Sequence, residues 1–226
     1  MARSPKYPSQ SRQWTRHDIK QIQPLTANQR IFFDLYDQGK ELIALHGYPG
    51  TGKTFLALYH ALKSVFVTEE QDKIIIVRSA VAVRDIGFLP GTEEEKIAVY
   101  QQPYVEALHW FCNRASTFED MVKAHKVEFI TTSFLRGLTI DNAVIVVDEA
   151  QNLTMHELDS IITRAGQNTR IVLCGDTGQT DLRNQGYGMT MSVMERMEES
   201  GIVVFSAEDI VRSGLVKSWI IAKESC

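Results

Sequence analysis

Cysteine is scarce. The three in 226 residues, Cys112, Cys174 and Cys226, lie far apart and form no Cys-x-x-Cys pair. Their spacing suggests neither a zinc site nor a disulfide framework, and it fits a reducing cytoplasm. No apolar run approaches the roughly 18 residues of a membrane span, so no membrane partner is expected. The opening stretch, MARSPKYPSQSRQW, has charges but no apolar segment behind them, which excludes a secretory signal there. Positive charge is not in excess either. A net charge of −4 argues against coating nucleic acid by bulk charge, while leaving room for a local basic groove. Internal repeats, low-complexity tracts and a clear interdomain linker are also missing. What remains is an ordinary globular composition, 44 % hydrophobic and 23 % charged, of a length that suits one sizeable α/β domain better than two.

The strongest positive feature is residues 41–54, ELIALHGYPGTGKT. Gly47, Tyr48, Pro49, Gly50, Thr51, Gly52, Lys53 and Thr54 spell G-x-x-x-x-G-K-[ST], the phosphate-binding loop. That motif needs a strand before it and a helix after it. Glu41–His46 reads as a short buried strand, and Thr54–Val67 places apolar residues at helical spacing. The glycines allow a tight turn whose N–H groups point inward at phosphate oxygens. Lys53 suits the β- and γ-phosphates, and the Thr54 hydroxyl suits Mg²⁺. The plainer alternative is a Gly-rich strand-to-helix turn with a chance Lys-Thr.

A second strong signal is Ala143-Val-Ile-Val-Val-Asp-Glu-Ala-Gln151, where four consecutive buried-strand residues deliver Asp148 and Glu149 at the strand's end, about ninety residues later. An Asp there can hold the hydration shell of Mg²⁺, and a neighbouring Glu can take a proton from attacking water. The pair is common alone but specific after a full phosphate loop in an alternating β/α chain.

Other segments fill in the order. Residues 1–23 carry Arg3, Lys6, Arg12, Arg16 and Lys20 against one acid, Asp18, and read as a basic flexible arm, either touching phosphates or merely solvated. The domain proper is expected over 24–226. Thr26 is a candidate N-cap, and Gln29 either completes its capping box or pairs with both edges of an adenine. Lys73–Arg78 is a strand, ending near Arg78 and Arg84 and a loop with Phe88 and Leu89. A helix is expected from Thr92 through Tyr100, interrupted near Pro103 and resuming to about Ala115. Val127–Thr131 is a strand, followed by a polar loop around Arg136. Thr154 and Glu157 form a capping box for the next helix. Arg170–Gly175 is a strand whose tip leads to Gln179, placed either to sense the γ-phosphate or to satisfy a turn. Gly186–Ser200 is expected helical, with Met189, Val193 and Met197 as its buried side. Ile202–Ser206 is the last strand, and a terminal helix is expected within 208–222.

The segments LTANQR, GYPGTGKT, VRSAV, GFLPGTEEEK, DNAVIVVDEAQN, GDTGQTDL and EDIVRSGLV together resemble the PhoH family of ATPases. The resemblance spans roughly residues 24–222. It implies a P-loop NTPase of α/β class, a single RecA-like domain similar to superfamily 1 helicase cores, with a mostly parallel sheet flanked by helices. It implies ATP and Mg²⁺ as cofactors and hydrolysis as the reaction. Lys53 and Thr54 then bind phosphate and metal, Asp148 and Glu149 are the acid pair, Gln179 is the γ-phosphate sensor, and Gln29 reads adenine. Short forms of this kind look like those encoded by phages.

One element is missing from such a domain by itself. Phosphoryl transfer commonly draws on an arginine facing the γ-phosphate from outside the phosphate loop. Either hydrolysis is slow or a neighbouring subunit supplies it, with Arg212 and Arg136 as candidates. A homo-oligomer follows, drawn as a ring and a hexamer among the options, because a head-to-tail interface that closes makes a ring. RNA or single-stranded DNA is the expected effector. An ATP-driven switch acting on a protein partner is the alternative, and a nucleotide kinase is disfavoured by Glu149 and Gln179.

Overall fold

The computed structural model describes residues 17–78, 93–112, 117–132, 137, 139–176 and 186–224. Helices and strands alternate along them: α1 (Ala27–Asp37), β1 (Leu42–Gly47), α2 (Lys53–Phe66), β2 (Lys73–Arg78), α3 (Glu93–Phe111), α4 (Thr117–Lys123), β3 (Val127–Thr131), β4 (Ala143–Val147), α5 (Met155–Ile162), β5 (Arg170–Asp176), α6 (Gly186–Met194), β6 (Ser200–Phe205) and α7 (Gly214–Glu224). The six strands form one sheet in the order β3-β2-β4-β5-β1-β6. Every pairing is parallel. The expected α/β class, a parallel sheet flanked by helices, is therefore what the chain adopts.

Helices on both faces explain the strand compositions, since a strand covered twice has no polar side to show. All of Ala143–Val147 is buried. One face packs Phe32, Leu62 and Val65 against Ile43, Ile76 and Val146. The other packs Leu158, Ile161 and Tyr187 against Ile145, Val147 and Leu173. The order matters for function. β5 lies between β1 and β4, so the tips of the phosphate-loop strand and the acid-bearing strand are two inter-strand steps apart, about 10 Å.

Several local expectations are corrected. Pro103 sits inside the single helix Glu93–Phe111 and does not interrupt it. An interior proline costs roughly 3 kcal/mol. Here the burial of Tyr104, Leu108 and Phe111 outweighs that. The helix Thr117–Lys123 was not expected. Of the arm expected over 1–23, residues 1–16 lie outside the described residues, and Ile19 and Lys20 pack on the domain. Ile19 is buried, and the Lys20 N–H donates to the Phe111 carbonyl at 2.7 Å, closing the end of α3.

The helix expected to Ser200 stops at Met194. Its buried side is Tyr187, Thr190 and Met194, while Met189 and Val193 are half exposed, 55 % and 50 %. The reason is steric. Tyr187 packs on Gly175, where even a Cβ would lie 2.7 Å from its ring, and the largest side chain sets the rotation of the helix.

His60 gives the fold a pH dependence. It is fully buried among the rings of Phe32, Phe33, Tyr36 and Tyr59. Neither ring nitrogen has a hydrogen-bond partner among the described residues. Burial, then Lys63, lowers its pKa to about 3. The folded form thus keeps His60 neutral while the unfolded chain takes up a proton below about pH 6.5. The stability it confers is present above pH 6.5 and is lost as pH falls toward 3, by up to ~1.4 kcal/mol per unit. Denaturant unfolding between pH 7 and 4 should show this slope, and His60→Phe should flatten it.

Candidate nucleotide-binding site

β1 ends in a turn that only glycine can make at two positions. Gly47 has φ 130°, and a Cβ there would meet the Phe205 carbonyl oxygen at 2.0 Å. Gly50 has φ 76°, with the Arg212 Cγ 2.9 Å from where a Cβ would stand. Gly52, also left-handed, is the N-cap of α2 and offers no side-chain cap. The N-terminal amides of this 14-residue helix are thereby left available for an anion.

Lys53 is buried, 6 % exposed, and folded onto its own loop. Its ammonium donates to the carbonyls of Tyr48 (2.6 Å) and Gly47 (3.2 Å) and pairs with Asp176 at 2.7 Å. Thr51 is buried and donates to the Tyr48 carbonyl. Gln29 is buried too. Its amide donates to the Thr51 carbonyl at 3.0 Å, and its oxygen accepts from the Leu25 N–H at 2.8 Å. Thr26 caps α1 as expected, by accepting from the Gln29 N–H. The side chain of Gln29 reaches Leu25 rather than the cap residue, so it braces the phosphate loop.

The acid pair closes the opposite wall. The Thr54 hydroxyl donates to one oxygen of Asp148 at 2.6 Å, and the Tyr104 hydroxyl donates to the other at 2.6 Å. Burial, then the charge of Asp148, holds the Tyr104 phenol well above its ordinary pKa, so it remains a donor. Glu149 adopts a left-handed backbone, φ 52° and ψ 40°. That conformation costs a non-glycine residue on the order of 1–2 kcal/mol and persists only where neighbours enforce it. Gln151 is the neighbour. Its amide donates to Glu149 at 2.6 Å and its oxygen accepts from the Asp176 N–H at 3.0 Å, tying β4 to β5. Burial first, then Asp148, raises the pKa of Glu149.

These groups share one cleft of about 370 Å³, lined by Gly52, Lys53, Thr54, Asp148, Glu149 and Asp176, with Arg212 at its edge. A cavity of that size accommodates a triphosphate-bearing ligand. Arg212, a candidate for an arginine reaching across from a neighbouring subunit, lines the cleft of its own chain. Tyr48 and Pro49 lie in the loop between β1 and α2. Gln179, Arg136, Arg84 and Phe88 lie outside the described residues.

Three residues of the site were not singled out from sequence. Gln151 was visible in the DEAQ string, and Asp176 ends a strand read one residue short, to Gly175. Tyr104 had no local signal, because its bond to Asp148 spans 44 positions. Gln151→Ala should destabilise the fold by about 1–3 kcal/mol, since it leaves the Asp176 N–H without its acceptor and frees the left-handed turn at Glu149. Denaturant unfolding would check it.

The family model described as PhoH-like protein matches residues 21–224. A PhoH-like protein of Mycobacterium tuberculosis is 33 % identical over 207 residues, covering 90 % of this chain and 58 % of the relative. Protein PhoH of Escherichia coli K12 is 36 % identical over 184 residues, 79 % and 51 % respectively. The Bacillus subtilis PhoH-like protein is 32 % identical over 210 residues, 90 % and 64 %. The chain thus spans between half and two-thirds of the length of these relatives. Among solved structures, the Sulfolobus solfataricus SWI2/SNF2 ATPase core in complex with dsDNA aligns at TM-score 0.44 and 13 % identity, over 84 % of this chain and 45 % of that one. Pif1 helicase from Candida albicans aligns at 0.38 and 15 %, over 82 % and 41 %. Among the described residues, no helix is long and apolar enough to cross a membrane.

Proposed function

The chain belongs to the PhoH-like family, and from that premise we propose that it binds ATP with Mg²⁺ and hydrolyses it in the cleft between the tips of β1 and β4. One observation carries the reading: the phosphate-loop hydroxyl of Thr54 and the strand-tip carboxylate of Asp148 meet at 2.6 Å, beside Lys53 and Glu149. Hard oxygen donors in that pairing fit Mg²⁺. When bound, the ion neutralises charge on the β- and γ-phosphate oxygens.

The protein's own groups do the rest. Amides of residues 50–54 hold the phosphates. Lys53 gives up the carbonyls of Gly47 and Tyr48 and turns to the γ-phosphate, and Asp176 keeps it oriented. Glu149, its pKa raised, takes the proton of a water lined up with the γ-phosphorus. Gln179 senses the γ-phosphate. Gln29 reads adenine by exchanging its bond to Thr51. Arg212, entering the cleft from its own chain, adds positive charge. A second subunit contributes a further arginine, with Arg136 the candidate, so the working form is a homo-oligomer, drawn as a ring. RNA or single-stranded DNA stimulates the cycle, and the protein works in the cytoplasm.

A switch without motor activity is the second reading. The retracted Lys53, bonded to its own loop and to Asp176, favours it as a ligand-released latch. ATPase assays with and without single-stranded RNA or DNA separate the two. Stimulation that salt suppresses supports the nucleic-acid reading. Rates indifferent to either polymer support the switch, and no hydrolysis at all contradicts both.

A further inference from the structure

We propose that Tyr104 is a positioning residue for the metal of the nucleotide site, holding the carboxylate oxygen of Asp148 that Thr54 does not. The inference rests on the Mg²⁺-dependent nucleotide site proposed above, and adds to it a group supplied by α3.

The backbone of Asp148 is fixed by the sheet, where its N–H donates to the Val77 carbonyl at 3.0 Å. Its side chain is a separate matter. The last torsion of an aspartate is broad and roughly two-fold, so a carboxylate held by one hydrogen bond can still rock. Here each oxygen has its own donor. Thr54 holds one and Tyr104 the other, both at 2.6 Å. The donors come from different elements, the start of α2 and the second half of α3. Two bonds to two oxygens leave the carboxylate plane a single orientation beside the cleft, whose wall includes both Asp148 and Tyr104.

Packing alone does not call for the hydroxyl. Tyr104 is 2 % exposed, and its ring lies 5.7 Å from that of Phe129. A phenylalanine would fill the same space and bury no polar atom, whereas a buried hydroxyl costs free energy until it finds a partner. The partner it finds is a carboxylate, and such charge-assisted hydrogen bonds are roughly twice as strong as neutral ones.

α3 is braced to deliver that bond. Its Pro103, Tyr104 and Ala107 line the cleft together with Phe55 and Leu58 of α2. Phe55 directly follows Thr54, and its ring packs on Phe111 at 4.3 Å and Trp110 at 5.1 Å. Adjacent residues of α2 thus meet α3 twice: Thr54 through the shared carboxylate, Phe55 through a ring cluster about two turns further along the helix. The second contact fixes how far α3 reaches, and so where the phenol stands. Groups that orient a metal's ligand in this way are worth about 10–100-fold in metal affinity.

The experiment is ATP titration calorimetry on the whole chain and on Tyr104→Phe, once in EDTA and once at saturating Mg²⁺. Thermal unfolding verifies that the variant folds, and Tyr104→Leu stands in should it not. In EDTA the variant should bind ATP as the parent does, because Tyr104 acts through Asp148 and not on phosphate. At saturating Mg²⁺ its gain in affinity should be smaller than the parent's by about 10-fold. A tyrosine that only supports the fold predicts a different pattern: ATP binding weakened alike in both conditions, with the gain from Mg²⁺ intact. That pattern overturns the proposal, as does a variant indistinguishable from the parent in both. A parent whose affinity ignores Mg²⁺ overturns the underlying metal site and this proposal together. A parent that gains from Mg²⁺ beside a variant that gains equally sinks the role of Tyr104 alone.

Discussion

Glu149→Gln should bind ATP within a few-fold of the parent and lose about 10²–10⁴-fold in hydrolysis, the range a positioned general base supplies. The amide is nearly isosteric and can still meet Gln151, so the backbone turn at φ 52° should persist. Only the proton-accepting oxygen is lost. The raised pKa of Glu149, caused by burial and then by Asp148, has a further consequence. The base works only when deprotonated, so the acidic limb of the parent's pH–rate profile should fall at a pH above the ordinary carboxylate range. A variant that loses binding together with turnover would show that Glu149 holds the nucleotide rather than activating water.

Lys53→Ala should act one step earlier, lowering ATP affinity by about 10–100-fold, the size of one or two charge-assisted hydrogen bonds. Lys53 bonds to Tyr48, Gly47 and Asp176 in the structure. Its loss therefore leaves Asp176 unpaired, but that carboxylate is 36 % exposed and partly hydrated, so folding should change little. Titration calorimetry beside thermal unfolding separates the two effects. Unaltered affinity with a collapsed fold would mean that the lysine is an internal strut.

What the sequence revealed follows the reach of its signals. The strands carrying the site are short buried runs bounded by motifs, and β2 and β3 were read to the residue. The capping box at Thr154 and Glu157 was equally legible, because its partners are three residues apart. The strand order was not, since it comes from packing between distant segments. That order places Asp176 between Lys53 and the acid pair. Tyr104 was invisible for the same reason, and the proline before it pointed away from a continuous helix. The rotation of α6 failed because apolar periodicity marks two possible faces there. Tyr187 chose between them through its seat on Gly175.

The central claim is that Lys53, Thr54 and Asp148 form one site for a metal-bound triphosphate. Titration calorimetry of ATP on Glu149→Gln, with and without Mg²⁺, reads it directly. Mg²⁺ should raise ATP affinity by about 10-fold or more, and adding Asp148→Asn should abolish that gain. An affinity indifferent to Mg²⁺, or a gain that survives the loss of Asp148, would contradict it.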